Sequence, residues 1–419
     1  MKRRILAGAL SLVLILSALL YLSGCGTSTQ AADLMSGVKA NTVSANVNLT
    51  GDDSAAIANF ALELFQDSAP SAANTLVSPL SVLCALAMTA NGTRGETLAQ
   101  MENVFGLSIP ELNDYLHVYL KNLPSGNKYK VSVADSIWFK EDESLTVEQS
   151  FLQSNADYYG ASVYKTAFDD ATLKDINTWV NENTDGMIEN ILDEISDGAV
   201  MYLINALAFD AEWENLYKET QVRDGTFTTE SGEPRDAEMM YGTEYAYLDD
   251  GSATGFIKYY ADRKYALAAL LPNEDVSIDD YIASLSGDGV ISTLQNAQAV
   301  KVQTSIPKFE SDYSMEMSDI LKGMGMTDAF DAGKADFTGL GRSEDGNLFI
   351  SRVLHKTYIA VDEKGTRAGA ATAVEMKSGS AAPPEEIKTV YLNRPFVYML
   401  IDCETNLPIF IGTLMDTGK

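Results

Sequence analysis

The 419-residue chain carries only three cysteines and two histidines. With His117 and His355 as the whole histidine complement, a histidine-rich metal site is excluded, and no His-Glu-x-x-His run occurs. The Gly-x-Ser-x-Gly elbow of hydrolases is missing, and so is a Gly-x4-Gly-Lys-Ser/Thr phosphate loop. Ser-x-x-Lys does occur, for example Ser162 with Lys165, but without the companion motifs that would make it catalytic. Positive charge is scarce. Thirty Lys and Arg face 59 Asp and Glu, a formal net charge of −29. Nucleic acid, whose phosphates need cationic partners, is excluded as a ligand. So many carboxylates make any acidic pair uninformative, and a solvated acidic face explains them better than a glycosidase dyad. No metal and no cofactor is implied, and the chain does not read as an enzyme.

Hydrophobic residues make up 46% of the chain, so it folds. The first residues, "MKRRILAGALSLVLILSALLYLSGC", join a basic start at Lys2, Arg3 and Arg4 to an apolar run from Ile5 to Leu22. This is the form of an export signal. Its length also approaches that of a membrane span. The ending favours export, because "LSGC" (Leu22–Cys25) resembles the bacterial lipobox, with lipidation at Cys25 and cleavage before it. The expected division is a signal peptide over 1–24, a flexible tether over 25–52 and one folded domain over 53–419. Such a chain sits on the outer face of a bacterial membrane or is released outside the cell. Cys84 and Cys403 lie in apolar runs and read as buried free thiols, with no disulfide framework.

The apolar spacing of Ile57, Phe60, Ala61, Leu64 and Phe65 predicts an amphipathic helix, capped by Asp53 or Ser54. "SPLSVLCALAMTANG" predicts a buried helix that starts at Ser78, has Pro79 in its first turn and stops by Gly92. "TLKDINTWVNENTDGMI" predicts a second amphipathic helix ending near Gly186. Long strands are expected in "KVSVADSIWF", "VMYLINALAFDAEW", "YALAALLP", "AVKVQTSIPKFE", "LFISRVLHKTYIAV" and "RPFVYMLIDC". Without strict alternation of strand and helix, the class is α+β with mixed or antiparallel sheets. His355, inside one of these strands, reads as a buried, hydrogen-bonded histidine, not as a general base.

The segment "EKGTRAGAATAVEMKSGSAAPPEE" (363–386) separates two such strands. Its first half has little turn chemistry. Read with a period of two, Thr366, Ala368, Ala370 and Thr372 share one face, and Arg367, Gly369, Ala371 and Ala373 the other. The first face could enter a packed interior without stranding a charge.

"DEKGTRAGAAT" resembles the hinge of the serpins, Glu-x-Gly-Thr-x-Ala-x-Ala-Ala-Thr. "NTLVSPLSVLCALAMTANGTRGET", "LINALAFDAEWE", "IPKFE", "LKGMGMTDAF", "ADFTGL" and "NRPFVYMLID…PIFIGTLMDT" follow in serpin order, from about residue 53 to 417. The resemblance implies three β-sheets, about nine helices and an exposed reactive-centre loop. It implies a suicide-substrate inhibitor of serine proteases, with cysteine proteases as a second target class, acting as a monomer. A cleaved loop of about 15 residues, at roughly 3.3 Å each, would reach on the order of 50 Å down the central sheet. The hinge then comprises Glu363, Gly365, Thr366, Ala368, Ala370, Ala371 and Thr372. The positions matching the family's shutter, where the sheet parts, are Ser78, Ser81, Asn205 and His355. Trp213 matches the breach, where insertion starts. Counting from Gly365 at family spacing places the cleaved bond at Gly379–Ser380, which suits elastase-like or subtilisin-like pockets. Lys377–Ser378 and Met376–Lys377 remain alternatives. A longer stretch from Pro383 to Asn393 blurs this register.

Overall fold

Strands with alternating or continuous apolar runs assemble the framework of the computed structural model, which describes residues 31–69, 73–123, 126, 128–366 and 387–418. The central sheet has seven strands. They are β1 (Ala32–Asp33), β2 (Tyr129–Lys140), β3 (Ser162–Thr166), β4 (Met201–Glu212), β5 (Phe309–Glu316), β6 (Arg352–Val361) and β7 (Gly365–Thr366). Their spatial order is β1-β3-β2-β4-β7-β6-β5, and β4 also pairs directly with β6. Nine of the twelve positions of β4 are buried in an unbroken run, as its sequence of small and apolar residues requires for a strand covered on both faces.

Behind this sheet lies a six-stranded sheet whose strands at Tyr265–Pro272, Phe396–Asp402 and Pro408–Leu414 are buried at every position. A four-stranded sheet runs through Ile387–Tyr391, Lys301–Pro307, Pro234–Glu244 and Val222–Thr228. A two-stranded ribbon, Thr146–Val147 with Gly341–Arg342, makes a fourth sheet beyond the three expected. Nine α-helices lie among the described residues. Those used below are α1 (Asp52–Ser68), α2 (Pro79–Ala90), α3 (Ile109–Lys121), α4 (Gln149–Tyr158) and α5 (Asp170–Asn183). Helix α2 is buried at all twelve positions, which is why its sequence shows no polar face.

Three local expectations are corrected. Helix α1 begins at Asp52 behind Gly51, with no side-chain cap; Asp52 and Asp53 instead favour its positive N-terminal end. The hydroxyl of Ser54 donates to the carbonyl of Leu49. The stretch "AVKVQTSIPKFE" is two strands in two sheets, parted after Pro307 at Lys308, whose N–H goes to Glu238. The folded unit begins at Ala31, not at residue 53. Residues 31–50 are not a free tether. β1 pairs with β3 (Ala32↔Lys165, Asp33↔Tyr164), and Leu34, Met35, Val38, Val47 and Leu49 pack on the core. Asn41 donates through its backbone N–H and its amide to Asp157 on α4, at 2.6 and 3.1 Å.

Candidate functional site: a seam and its wedge

β4 and β6 are parallel and bonded to each other from Tyr202↔Arg352 to Ala208↔Tyr358. Beyond that they diverge, and β7 fills the gap. Gly365 and Thr366 pair antiparallel with Glu212 and Ala211 of β4, and Thr366 pairs with Val361 of β6. Both hinge residues are buried. Gly365 is required there, since a Cβ would stand 1.9 Å from the carbonyl oxygen of Ala211. The remaining hinge positions Ala368, Ala370, Ala371 and Thr372 lie outside the described residues. So do the candidate bonds at Met376, Lys377, Ser378, Gly379 and Ser380, and Cys25.

The open end of the seam, the breach, is built from aromatics and charges. Trp213 stacks on Tyr260 at 4.3 Å between centroids, and its indole N–H donates to the carbonyl of Asp362 at 2.9 Å. The hydroxyls of Tyr260 and Thr366 lie 2.5 Å apart, so the residue that follows the strand Ala253–Tyr259 of the second sheet holds the hinge. Lys258, almost fully buried, makes an ion pair with Glu244 at 2.8 Å and sits over the rings of Tyr217 and Trp213 at 4.3 and 5.2 Å. That geometry pairs a buried cation with both a carboxylate and π faces. Tyr217 donates its backbone N–H to the carbonyl of Glu363 at 3.0 Å. The carboxylate of Glu363 pairs with Lys308 at 2.7 Å, and the hydrogen bond from that ammonium holds its carboxyl below the usual range.

Midway along the seam, the shutter is neutral. Asn205 and His355 are fully buried and face each other across the β4–β6 ladder. His355 Nδ1 bonds Asn205 Oδ1, so Nδ1 carries the proton. Nε2 is then the acceptor for the backbone N–H of Ser78, at 3.1 Å. Burial depresses the imidazole pKa to about 3, since protonation would place a charge in the core and a second N–H against that of Ser78. Asn205 Nδ2 is buried without a hydrogen-bond partner. Ser78 contributes its backbone, while its hydroxyl caps α2 by accepting from Ser81 N–H at 3.4 Å. Ser81 does not reach His355; its hydroxyl donates to Asp135 on β2 at 3.2 Å. Thr357 adds a contact from β6, donating to the carbonyl of Leu76 at 2.7 Å.

The structure therefore joins Ser78, Asn205 and His355 in one cluster and Trp213, Glu363, Gly365 and Thr366 in another. Sequence reasoning missed Lys258, Tyr260 and Asp135. Lys258 had a signal: it is a lone charge in the apolar strand "GFIKYY". Among the described residues, no group of three or more His, Cys, Asp or Glu side chains is arranged to hold a metal.

Residues 55–417 match the family model described as serpin (serine protease inhibitor). The chain is 30% identical over 371 residues to an uncharacterized serpin-like protein of Thermococcus kodakarensis, covering 86% of this chain and 85% of that one. It is 29% identical to serpin B10 of Papio anubis, over 85% of this chain and 98% of the relative. The crystal structure of the thermophilic serpin tengpin in its native state superposes with a TM-score of 0.88 at 48% identity, covering 92% of this chain and 100% of tengpin. Tengpin in its latent state gives 0.78 at 45% identity, with 89% and 100% covered. The chain belongs to the serpin family, and it has the serpin fold.

Proposed function

We propose that this protein is an inhibitory serpin, a suicide substrate that traps serine proteases of the elastase or subtilisin type, with cysteine proteases as a second class. The carrying observation is the seam. Two parallel strands bonded to each other are held apart at one end by the first two residues of the loop, already in antiparallel register with both. Continuing that register past Thr366 would replace the β4–β6 ladder by two antiparallel ladders. The loop residues that would follow on the buried face, Ala368, Ala370 and Thr372, are small and uncharged, as a packed interior requires. In the proposed cycle, the protease cleaves at Gly379–Ser380 and becomes acylated. The freed arm zips down the seam and carries the enzyme with it before the acyl bond is hydrolysed. The stored free energy lies in the unfilled slot.

The proposed setting is the outer face of a bacterial membrane, with a lipid anchor at Cys25 and the protein acting as a monomer. Of the tether expected over 25–52, the part from Ala31 onward is docked on the folded unit. The rival is a serpin that binds a partner without inhibiting. A bulky or charged hinge would favour it, and the hinge here is small.

The test is incubation of the intact protein with elastase, subtilisin and trypsin, followed by denaturing gels and N-terminal sequencing. The expected result is an SDS-resistant complex and a released fragment starting at Ser380. Clean cleavage without a complex overturns inhibition, and a fragment starting at Ser378 moves the specificity to trypsin-like enzymes.

A further inference from the structure

A cavity of about 510 Å³ opens where three stretches meet: the turn between Val222–Thr228 and Pro234–Glu244, the end of Tyr265–Pro272 with the residues after it, and Asn393–Pro395. None of its lining residues belongs to the breach or the shutter. The frame is braced, since the Thr228 N–H donates to the carbonyl of Asn393 at 2.8 Å. Arg394 is half-buried in the wall, and its Nη2 donates to the carbonyl of Pro272 at 2.6 Å. That bond fixes one arm of the guanidinium. Its other donors have no partner among the described residues, and it takes part in none of the described ion pairs. Glu230 on the turn and Glu274 after Pro272 line the same cavity and reach solvent, and neither has a described hydrogen bond or ion pair. Pro272, Val276, Ile278 and Pro395 supply the apolar part of a mixed lining.

We propose that this cavity binds a short peptide with free ends, its terminal carboxylate on the Arg394 guanidinium and its terminal ammonium at Glu230. The cavity holds charges of both signs that do not pair with each other, and a zwitterion answers both. A simple anion would face Glu230 and Glu274, and a simple cation would face Arg394. A guanidinium with one arm already fixed suits a carboxylate, which accepts from two parallel N–H groups. The volume falls in the range of small-molecule sites, and an aliphatic side chain on the peptide has the apolar part of the lining to cover. The titration behaviour agrees with the geometry. Burial lowers the pKa of Arg394, with the charge of Glu274 opposing it. Burial raises the carboxyl of Glu230, and the nearby Asp279 raises it further. Each shift has the sign of a charge short of an opposite partner. Glu230 belongs to the four-stranded sheet and Arg394 leads into the strand Phe396–Asp402 of the six-stranded one. A peptide on both therefore ties the two sheets together, two residues beyond the strand Ile387–Tyr391 that follows the loop. The site is independent of the inhibitory reading.

The probe is the dipeptide L-alanyl-L-leucine, titrated calorimetrically into the intact protein at pH 7 and low salt. Its N-acetyl form lacks the ammonium, and its C-terminal amide lacks the carboxylate. The expected result is one-to-one binding of the free dipeptide that weakens as salt is raised, and that is at least tenfold weaker for either capped form. Glu230→Gln, on an exposed turn, should weaken the free dipeptide several-fold and leave the N-acetyl form as it was. Arg394→Gln should weaken the free dipeptide and leave the amide as it was, with melting curves to report whether each variant folds. This pairing of variant with cap separates contact with the ligand from a merely structural role. No binding at millimolar dipeptide, capped forms that bind as well as the free one, or a folded Glu230→Gln that keeps the preference for the free ammonium overturns the site. No protease enters this assay, so its failure is separable from failure of the inhibitory reading.

Discussion

The breach and the shutter hold the same seam by opposite chemistry. At the breach, β4 and β6 are already apart, wedged by Gly365 and Thr366, and the surroundings are charged and aromatic. Contacts there are redundant: Trp213, Tyr217 and Tyr260 each bond a different residue between Asp362 and Thr366. At the shutter the strands are bonded to each other, and the polar groups are neutral, buried and few. An opening that starts at the breach exchanges one set of backbone bonds for another. An opening at the shutter must first strip His355 of two specific partners. Under the proposed mechanism, the difference would put the start of insertion at one end and its barrier in the middle.

The sharpest way to break this comparison is at the wedge. Thr366→Arg places a charge on a side chain that is 0% exposed and whose one hydrogen bond among the described residues is to a tyrosine hydroxyl. A buried unpaired charge costs several kcal/mol, roughly 3–5 where one partner of a buried pair is missing. The arginine will therefore leave the gap and take the hinge with it. Complex formation on gels should vanish while cleavage of the loop continues, a change of partition of tenfold or more. Retained complex would show that β7 is not the start of insertion.

Second in size is His355→Ala. It leaves the Ser78 N–H and Asn205 Oδ1 without partners and opens a hole in the core. Unsatisfied buried groups cost about 1–3 kcal/mol each, and the lost packing adds to that. A fall of about 3 kcal/mol in denaturant unfolding is expected, together with faster spontaneous loss of inhibitory activity on storage. Stability falling without faster inactivation would remove the barrier from the shutter.

Acid probes the same contact without mutation. His355 titrates at about 3 in the fold against 6.5 unfolded. A depressed folded value means that its contribution is complete above pH 6.5 and drains as pH falls from there towards 3. The expected slope is on the order of 1.4 kcal/mol per pH unit. Between pH 6.5 and 5 few carboxylates titrate, and His117 is the one other histidine. A His355→Gln variant should slope by about 1.4 kcal/mol per pH unit less than the wild type in that window. Equal slopes would place the acid sensitivity elsewhere.

How much of this was legible beforehand follows from what kind of interaction each part uses. The long strands and α2 were readable because burial on both faces leaves continuous apolar runs, as in "LINALAFDAEW". The alternation of Thr366, Ala368, Ala370 and Thr372 is a local pattern, of which the structure describes only the start, with Gly365 and Thr366 seated between β4 and β6. The division of labour at the shutter was not. Nothing in "SPLS" says that Ser78 gives its backbone to His355 while Ser81 turns to Asp135, since that depends on how α2 crosses β2 and β6. The docked segment over 31–50 was misread as a tether because Leu34, Met35, Val38, Val47 and Leu49 are sparse and out of helical or strand period. They pack one at a time on a surface already built by distant residues. Lys258 and Tyr260 escaped because a charge–aromatic stack has no spacing rule when its members come from separate strands.

The smallest expected effect sharpens the comparison from the breach side. Lys308 lies at the head of β5 and pairs with Glu363 at 2.7 Å and Glu238 at 3.5 Å, but all three side chains retain solvent contact. Exposed pairs contribute about 0–1 kcal/mol and are screened by salt. Lys308→Ala should therefore cost under about 1 kcal/mol in unfolding, and the difference from wild type should shrink as salt is raised to molar levels. Its partner Glu363 is held below the usual carboxyl range, so the pair contributes above the unfolded pKa of 4.5 and fades as pH falls through the folded value. Because Trp213, Tyr217 and Tyr260 still hold the hinge, complex formation should survive this substitution. If Lys308→Ala costs as much as His355→Ala, the breach is not a redundant wedge but a second lock, and the barrier to insertion is shared between the two ends of the seam.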